Sequence, residues 1–373
     1  MANIMDYLDW RGDLGFAASP VNEIDNLIFS ELAYLKLDDI VPMHGIDKGD
    51  ISLYHVWKDY VYLSCDQSDL SYDPAPLLEK AAHTERFKNV MLKDYLNVFD
   101  TDSHIQFAAV SFYLKDDLIY IAFRGTDGTI EGWREDFNIS YMREVPGQME
   151  AVSYVNDVAK DFNGKIILGG HSKGGNLAVY AGAFCLDSVK DKIIKIYSND
   201  GPGFNREIAK TKEYNAVLDK VEMIIPEASL VGILMSNKKE KLIVKSDASG
   251  TMQHSPYSWQ VLGTGFETAP KQNTASLLAD DTLNNWLDSL DEDELKKFVN
   301  ALFDILDASG ATTLSELSDN KWTSFNAMVK AAKDMDKNTR DNLIMVVKRL
   351  ASSGKDVIWN EAKAAFDSDN NKQ

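Results

Sequence analysis

Gly169-Gly170-His171-Ser172-Lys173-Gly174-Gly175-Asn176 follows the apolar run Ile166-Ile167-Leu168 and leads into Leu177-Ala178-Val179-Tyr180-Ala181-Gly182-Ala183. The first flank reads as a buried strand and the second as a buried helix of small residues. Between them, Gly170-x-Ser172-x-Gly174 places a serine on a sharp strand-to-helix turn, the arrangement of a nucleophile elbow. Glycines are needed on either side, because a Cβ there would meet the neighbouring strand or helix. The helix start would direct backbone N–H groups at a developing oxyanion, the Lys173 amide being one. An incidental Gly-Ser turn would need neither flank. The Lys173 side chain is expected to extend into solvent, with a contact to an anionic substrate group as the alternative. No Gly-x-x-x-x-Gly-Lys-Ser/Thr pattern supports a phosphate site.

Outward from this turn, strands and helices alternate. Upstream, Ile105–Tyr113 and Leu118–Phe123 read as a hairpin around Lys115-Asp116-Asp117. A helix is expected near Gln148–Phe162, a strand at Lys165–Leu168 and a helix at Lys173–Leu186. A strand at Lys192–Tyr197, a helix near Asn205–Leu218 and strands at Val221–Ile225 and Lys241–Lys245 follow. This alternation indicates a mainly parallel sheet covered on both faces, the α/β-hydrolase fold. Before the sheet, Ser19-Pro20 is a helix-start signal, with Ile24, Leu27, Ile28, Leu32 and Leu35 at helical spacing. A second helical stretch is expected from Pro74 to Val98. The hydrolase domain is read as residues 1–262. Residues 263–275, rich in Gly, Thr, Pro and Gln, read as a linker. Residues 276–373 read as a helical region with two apolar stripes: Leu295, Phe298, Val299, Leu302 and Leu306, then Leu343, Val346, Val347 and Leu350. The tail from Asp367 reads as polar and disordered.

The 373-residue chain carries 39 Lys and Arg against 58 Asp and Glu, a formal charge of −19. That field disfavours nucleic acid as a partner and general attraction to anionic membranes. Cys65 and Cys185 form no disulfide framework or metal motif. The acid-punctuated start, Met1–Leu14, is no secretory signal, and no run approaches the ~18 apolar residues of a membrane span, so stable membrane insertion is not expected. The expectation is a cytoplasmic enzyme needing no metal or organic cofactor.

A serine nucleophile needs a base and an acid, which in this fold follow it in the order Ser, acid, His. Of His44, His55, His83, His104, His171 and His254, only the last lies downstream of Ser172. The acid must follow a strand. Asp200, opening the turn Asp200-Gly201-Pro202-Gly203, is preferred; Glu227 after the next strand is the alternative, and Asp247 stands behind both. A second oxyanion donor is expected from Phe123-Arg124-Gly125-Thr126, at Thr126. Residues Asp127–Gly147, with Trp133, Phe137, Tyr141 and Met142, would either line the acyl pocket or pack as an ordinary helix and loop.

Phe123-Arg124-Gly125-Thr126, Gly132-Trp133-x-x-Asp136 and Gly170-His171-Ser172-x-Gly174-Gly175 resemble the core of the class 3 (fungal-type) lipases. Asp6-Tyr7-Leu8-Asp9-Trp10-Arg11-Gly12-Asp13, Asn199-Asp200-Gly201-Pro202-Gly203-Phe204 and His254-Ser255-Pro256-Tyr257-Ser258-Trp259 are similar to an uncharacterised bacterial family of lipase-like α/β-hydrolases. The resemblance covers roughly residues 4–261 and implies an oxyanion contact from Thr126. It also implies an acid after the strand beyond Asp200, where Ser229 stands. Either Glu227 substitutes or the acid has moved to Asp200, and the second is preferred. The expected activity is serine ester hydrolysis, lipase- or esterase-like, on a small-molecule or lipid ester. The rivals are an acyltransferase using the same residues and a non-catalytic binding protein. The binding-protein rival would use the helical tail for a protein partner.

Overall fold

The structure, a computed structural model, describes residues 1–45, 49–63, 74–100, 105–115, 117–126, 134, 137–139, 142–229, 231–232, 235, 239–272 and 292–308. The chain divides into two compact units, one of residues 1–127 and 131–290 and one of 128–130 and 291–373.

The first unit is built on an eight-stranded sheet whose spatial order follows the chain. Its strands are β1 (Ile51–Ser52), β2 (Met91–Asp100), β3 (Ile105–Lys115), β4 (Leu118–Phe123), β5 (Lys165–His171), β6 (Ile193–Asn199), β7 (Val221–Pro226) and β8 (Lys241–Val244). Strands β1 to β4 pair antiparallel and β4 to β8 parallel. Parallel neighbours need a crossover, supplied by the helices Pro146–Lys160, Lys173–Phe184 and Lys212–Val217. Right-handed crossovers between strands laid down in one direction put all three helices on one face.

The other face is covered by the helices α1 (Ile4–Arg11), α2 (Glu23–Leu32), α3 (Leu53–Leu63) and α4 (Ala75–Ala82). Side chains obey the two-residue period: Ile119, Ile121 and Phe123 of β4 join the crossover-helix core, while Tyr120 and Ala122 join the N-terminal one. Two covered faces, a mainly parallel sheet and the turn described below make this an α/β-hydrolase fold.

Three expectations are corrected. Helix α2 begins at Glu23, not at Ser19-Pro20. The Asn22 side chain accepts from the amides of Ile24 and Asp25, and Asp25 accepts from the Asn22 amide. This reciprocal cap outcompetes Ser19, since the Arg86 guanidinium draws the carbonyls of Ser19 and Pro20 into a turn while its ion pair with buried Asp25 reaches 2.5 Å. Residues 74–98 are not one helix: α4 stops at Ala82, and Met91–Asp100 is a strand. Its apolar spacing fits either period, and the long partner β3 decides it, with pairs from Met91↔Tyr113 to Asp100↔Ile105. Nor do residues 263–275 begin as a linker. Gly265–Phe266 pairs with Val261–Leu262, Thr268 bridges to Val244, and the Ala269 amide donates to Ile243 O. Residues 273–275 lie outside the described set.

Of the second unit the structure describes the helix Glu292–Ala308, whose Leu295, Phe298, Val299, Phe303 and Leu306 are buried. The Leu302 side chain and the second stripe lie outside the described residues. No helix among the described residues is long and apolar enough to cross a membrane.

Candidate active site

The C-terminal ends of β4 to β8 open on one edge of the sheet, where α/β folds place their sites. Thr126 lies just beyond β4, Ser172 directly follows β5, Asp200 directly follows β6, Ser229 follows β7 and His254 follows β8.

Ser172 adopts φ +56° and ψ −130°, a conformation L-residues avoid. Its amide donates to Asn199 O at 2.9 Å, and its carbonyl accepts from the Gly175 amide at 2.9 Å. The tight passage explains the glycines. A Cβ on Gly170 would come within 2.3 Å of the Gly174 carbonyl carbon, and one on Gly174 within 2.1 Å of Phe123 O.

Asp200 is fully buried, also at positive φ (+49°), with its amide on Ile224 O at 2.7 Å. Asn176, in the first turn of the helix after Ser172, donates to the carbonyls of Pro202 and Gly203. It thereby ties the turn that carries the acid to the helix that carries the serine. His254 directs Nδ1 at Asp200 Oδ2, 2.6 Å away, and its side chain keeps 28% exposure. The His254 carbonyl accepts from His171 Nε2 at 3.0 Å, and the two imidazoles lie 4.6 Å apart. The base is thus pinned against the residue preceding the serine. Burial, with His254 adding to it, pushes the His171 imidazole well below its ordinary pKa, and the buried Glu31 carboxylate lies 3.3 Å from its Nδ1. Among the described residues no hydrogen bond reaches the Ser172 hydroxyl.

Among the described residues, neither competing acid is hydrogen-bonded to His254, whose Nδ1 is on Asp200. The Glu227 amide donates to Val244 O. Asp247 pairs with the N-terminal ammonium at 2.9 Å and accepts from Gln260. The Lys173 side chain is neither in solvent nor aimed at a substrate group. It is buried, and its ammonium donates to Gln106 O on β3 at 2.8 Å. A lysine at this position can satisfy its charge inward because β3 presents a carbonyl there. Thr126 is partly buried, one residue beyond Gly125, whose ideal Cβ would fall 3.2 Å from Ser172 Cβ. Phe137 and Met142 are partly buried; Trp133 and Tyr141 lie outside the described residues, as does Asp136.

Sequence reasoning did not single out the polar layer beneath the turn. Asn199 Nδ2 donates to Gly170 O, Asn26 Oδ1 and Ser30 Oγ, and Asn26 Nδ2 donates to Asn199 Oδ1 at 2.8 Å. Tyr120 adds its hydroxyl to Asn26 Oδ1. The available signal was polar residues on the apolar stripe of α2, at Asn26 and Ser30.

None of the proteins of curated function matches the chain. Solved structures resembling it include the Rhizomucor miehei lipase–propeptide complex (14% identity, TM-score 0.34, 50% of this chain and 63% of that one). M37 lipase (19%, 0.33, 44% and 64%) and Lip2 lipase from Yarrowia lipolytica (12%, 0.31, 53% and 78%) are others. The chain spans just under two thirds of the length of the first two. The family model Mbeg1-like matches residues 81–304, more than half of the chain, which therefore belongs to the Mbeg1-like family.

Proposed function

We propose that the protein is a lipase- or esterase-like serine hydrolase acting in the cytoplasm on a small-molecule or lipid ester, without a cofactor. The observation that carries this reading is the His254 imidazole on the buried Asp200 carboxylate, pinned beside a serine in a strained bend. A scaffold retained only for binding has no use for that strain.

In the proposed mechanism, Ser172 Oγ attacks the ester carbonyl as His254 Nε2 takes its proton. Asp200 holds Nδ1–H and stabilises the imidazolium. The amides of Lys173 and Thr126 face the oxyanion. Collapse expels the alcohol, protonated by His254, and leaves an acyl-enzyme. Water then attacks by the same route, releasing the acid and restoring the serine. The Ser172–His254 hydrogen bond forms as substrate docks, when catalytic contacts tighten.

A fluorophosphonate probe tests the reading on the full chain. Labelling in the wild type and none in Ser172→Ala is expected; no labelling, or labelling that persists in Ser172→Ala, overturns it. Asp200→Asn should slow hydrolysis of a nitrophenyl ester by roughly 10³- to 10⁴-fold, as loss of a triad acid does. Glu227→Gln should leave the rate unchanged, and a comparable loss there would reassign the acid. Ester formation from added alcohol would favour an acyltransferase on the same residues.

A further inference from the structure

The Asp200 carboxylate has two oxygens, and the proposed mechanism uses one. Oδ2 accepts from His254. The other, Oδ1, accepts from the Ser229 hydroxyl and from the Gly232 amide at 3.1 Å. The Gly232 amide also donates to Ser229 Oγ at 3.0 Å. Proton directions follow from chemistry alone: an amide only donates and an ionised carboxylate only accepts, so the Ser229 hydroxyl points its proton at Asp200. Ser229 is 1% exposed and Asp200 0%, so bulk solvent does not reach this contact. Gly232 is required at its place, where a Cβ would fall 2.5 Å from Asp200 Oδ1.

The same loop also grips the segment that carries the base. The Ala228 amide donates to Gln253 Oε1 at 2.7 Å, Gln253 Nε2 to Ala248 O, and buried Trp259 to Gln253 O. Ser229 and Gly232 therefore fasten the acid, and Ala228 fastens the neighbour of the base.

We propose that Ser229 is a positioning residue that acts through Asp200. It fixes the carboxylate so that Oδ2 faces His254 Nδ1, and it shares the buried negative charge. The proposal rests on the hydrolase reading above. A carboxylate with one oxygen unheld could rotate and lose the imidazole; with Oδ1 held by two donors, it is locked.

The test uses the full chain, the rate of Ser172 labelling by a fluorophosphonate and hydrolysis of p-nitrophenyl butyrate. Ser229→Ala should lower both by about tenfold, the worth of one charge-assisted hydrogen bond. Ser229→Thr, which keeps the hydroxyl, should recover most of the loss. In an Asp200→Asn background, Ser229→Ala should cost less than about twofold, because the group it acts through is gone. A purely structural serine would cost the same in both backgrounds. Equal losses, a Ser229→Ala rate close to wild type, or a Ser229→Thr variant no better than alanine would each overturn the assignment. If the wild type shows no Ser172 labelling, the hydrolase reading itself fails. Labelling of the wild type together with any of those three results removes the Ser229 role alone.

Discussion

Replacing Asn199 by aspartate changes one atom type and almost no volume, so it isolates what the polar layer under Ser172 requires. The Asn199 Nδ2 atom faces Gly170 O at 3.1 Å, and a carbonyl can only accept. The side chain is fully buried. An ionised carboxylate there would aim negative charge at that carbonyl, so the introduced acid would fold protonated, its O–H replacing the lost N–H. The free-energy cost then has a pH-independent part, about 1 kcal/mol because one O–H cannot serve all the acceptors that the two amide N–H groups reach, and a pH-dependent part, that of protonating an ordinary aspartate at the working pH. With an unfolded pKa of about 3.9 and about 1.4 kcal/mol per unit, the second part is near zero at pH 4 and about 4 kcal/mol at pH 7. The sign is set by a raised folded-state pKa: stability is full below the unfolded value and lost as pH rises. Such a loss is a large part of a typical folding free energy of ~5–15 kcal/mol. Urea unfolding of wild type and Asn199→Asp between pH 4 and pH 8 measures it, with the slopes checked for equal exposed surface. The two curves should differ by about 1 kcal/mol near pH 4 and diverge further above it, and Ser172 labelling should weaken over the same range. A difference that does not vary with pH would refute the claim that this site needs a donor aimed at Gly170.

Three other substitutions test the frame around the site. Glu23 lies against Glu222, which pairs with Lys195, and burial followed by repulsion from Glu222 pushes the Glu23 carboxyl from 4.5 up to about 7. The folded state therefore holds that proton more tightly, and stability falls as pH rises from about 4.5 through 7. Glu23→Gln should match wild type at low pH and exceed it at pH 8 by about 1–2 kcal/mol, the full shift discounted for partial exposure. Parallel urea midpoints across that range would refute it. Gly174→Ala should lower the melting temperature sharply and abolish Ser172 labelling, because its Cβ meets backbone at Phe123 O. Gly15→Ala, whose nearest neighbour would be 4.0 Å away, should stay within about 0.5 kcal/mol of wild type.

The features that sequence revealed are those whose cause is local. The bend at Ser172 shows itself because glycines must stand at 170 and 174 whatever the rest of the chain does. Strands β3 to β8 show themselves because each is a compact apolar run between turn residues. What stayed hidden depends on a partner outside the segment itself. Met91–Asp100 becomes a strand only because β3 is there to pair with it. Lys173 turns inward to donate its ammonium to the Gln106 carbonyl on β3. The segment after Val261 has the composition of a linker, yet Gly265–Phe266 and Thr268 close it onto the sheet.

The candidate site divides along the same line, and the division bears on how its strain is held. The positive φ at Ser172 and Asp200 is written into two short turns, Gly170–Gly174 and Asp200–Gly203. The groups that brace those turns, directly or through a neighbouring residue, come from four other places. Asn26 and Ser30 lie on α2, Asn176 on the next helix, Ser229 after β7 and Gln253 before the base. Each supplies one or two hydrogen bonds of about 1 kcal/mol, the same order as the strain of one residue in a disfavoured conformation. No single support is strong enough to hold the bend alone. The N-terminal helices are therefore part of the site's machinery as well as a cover for the sheet, because two of those supports are carried on α2.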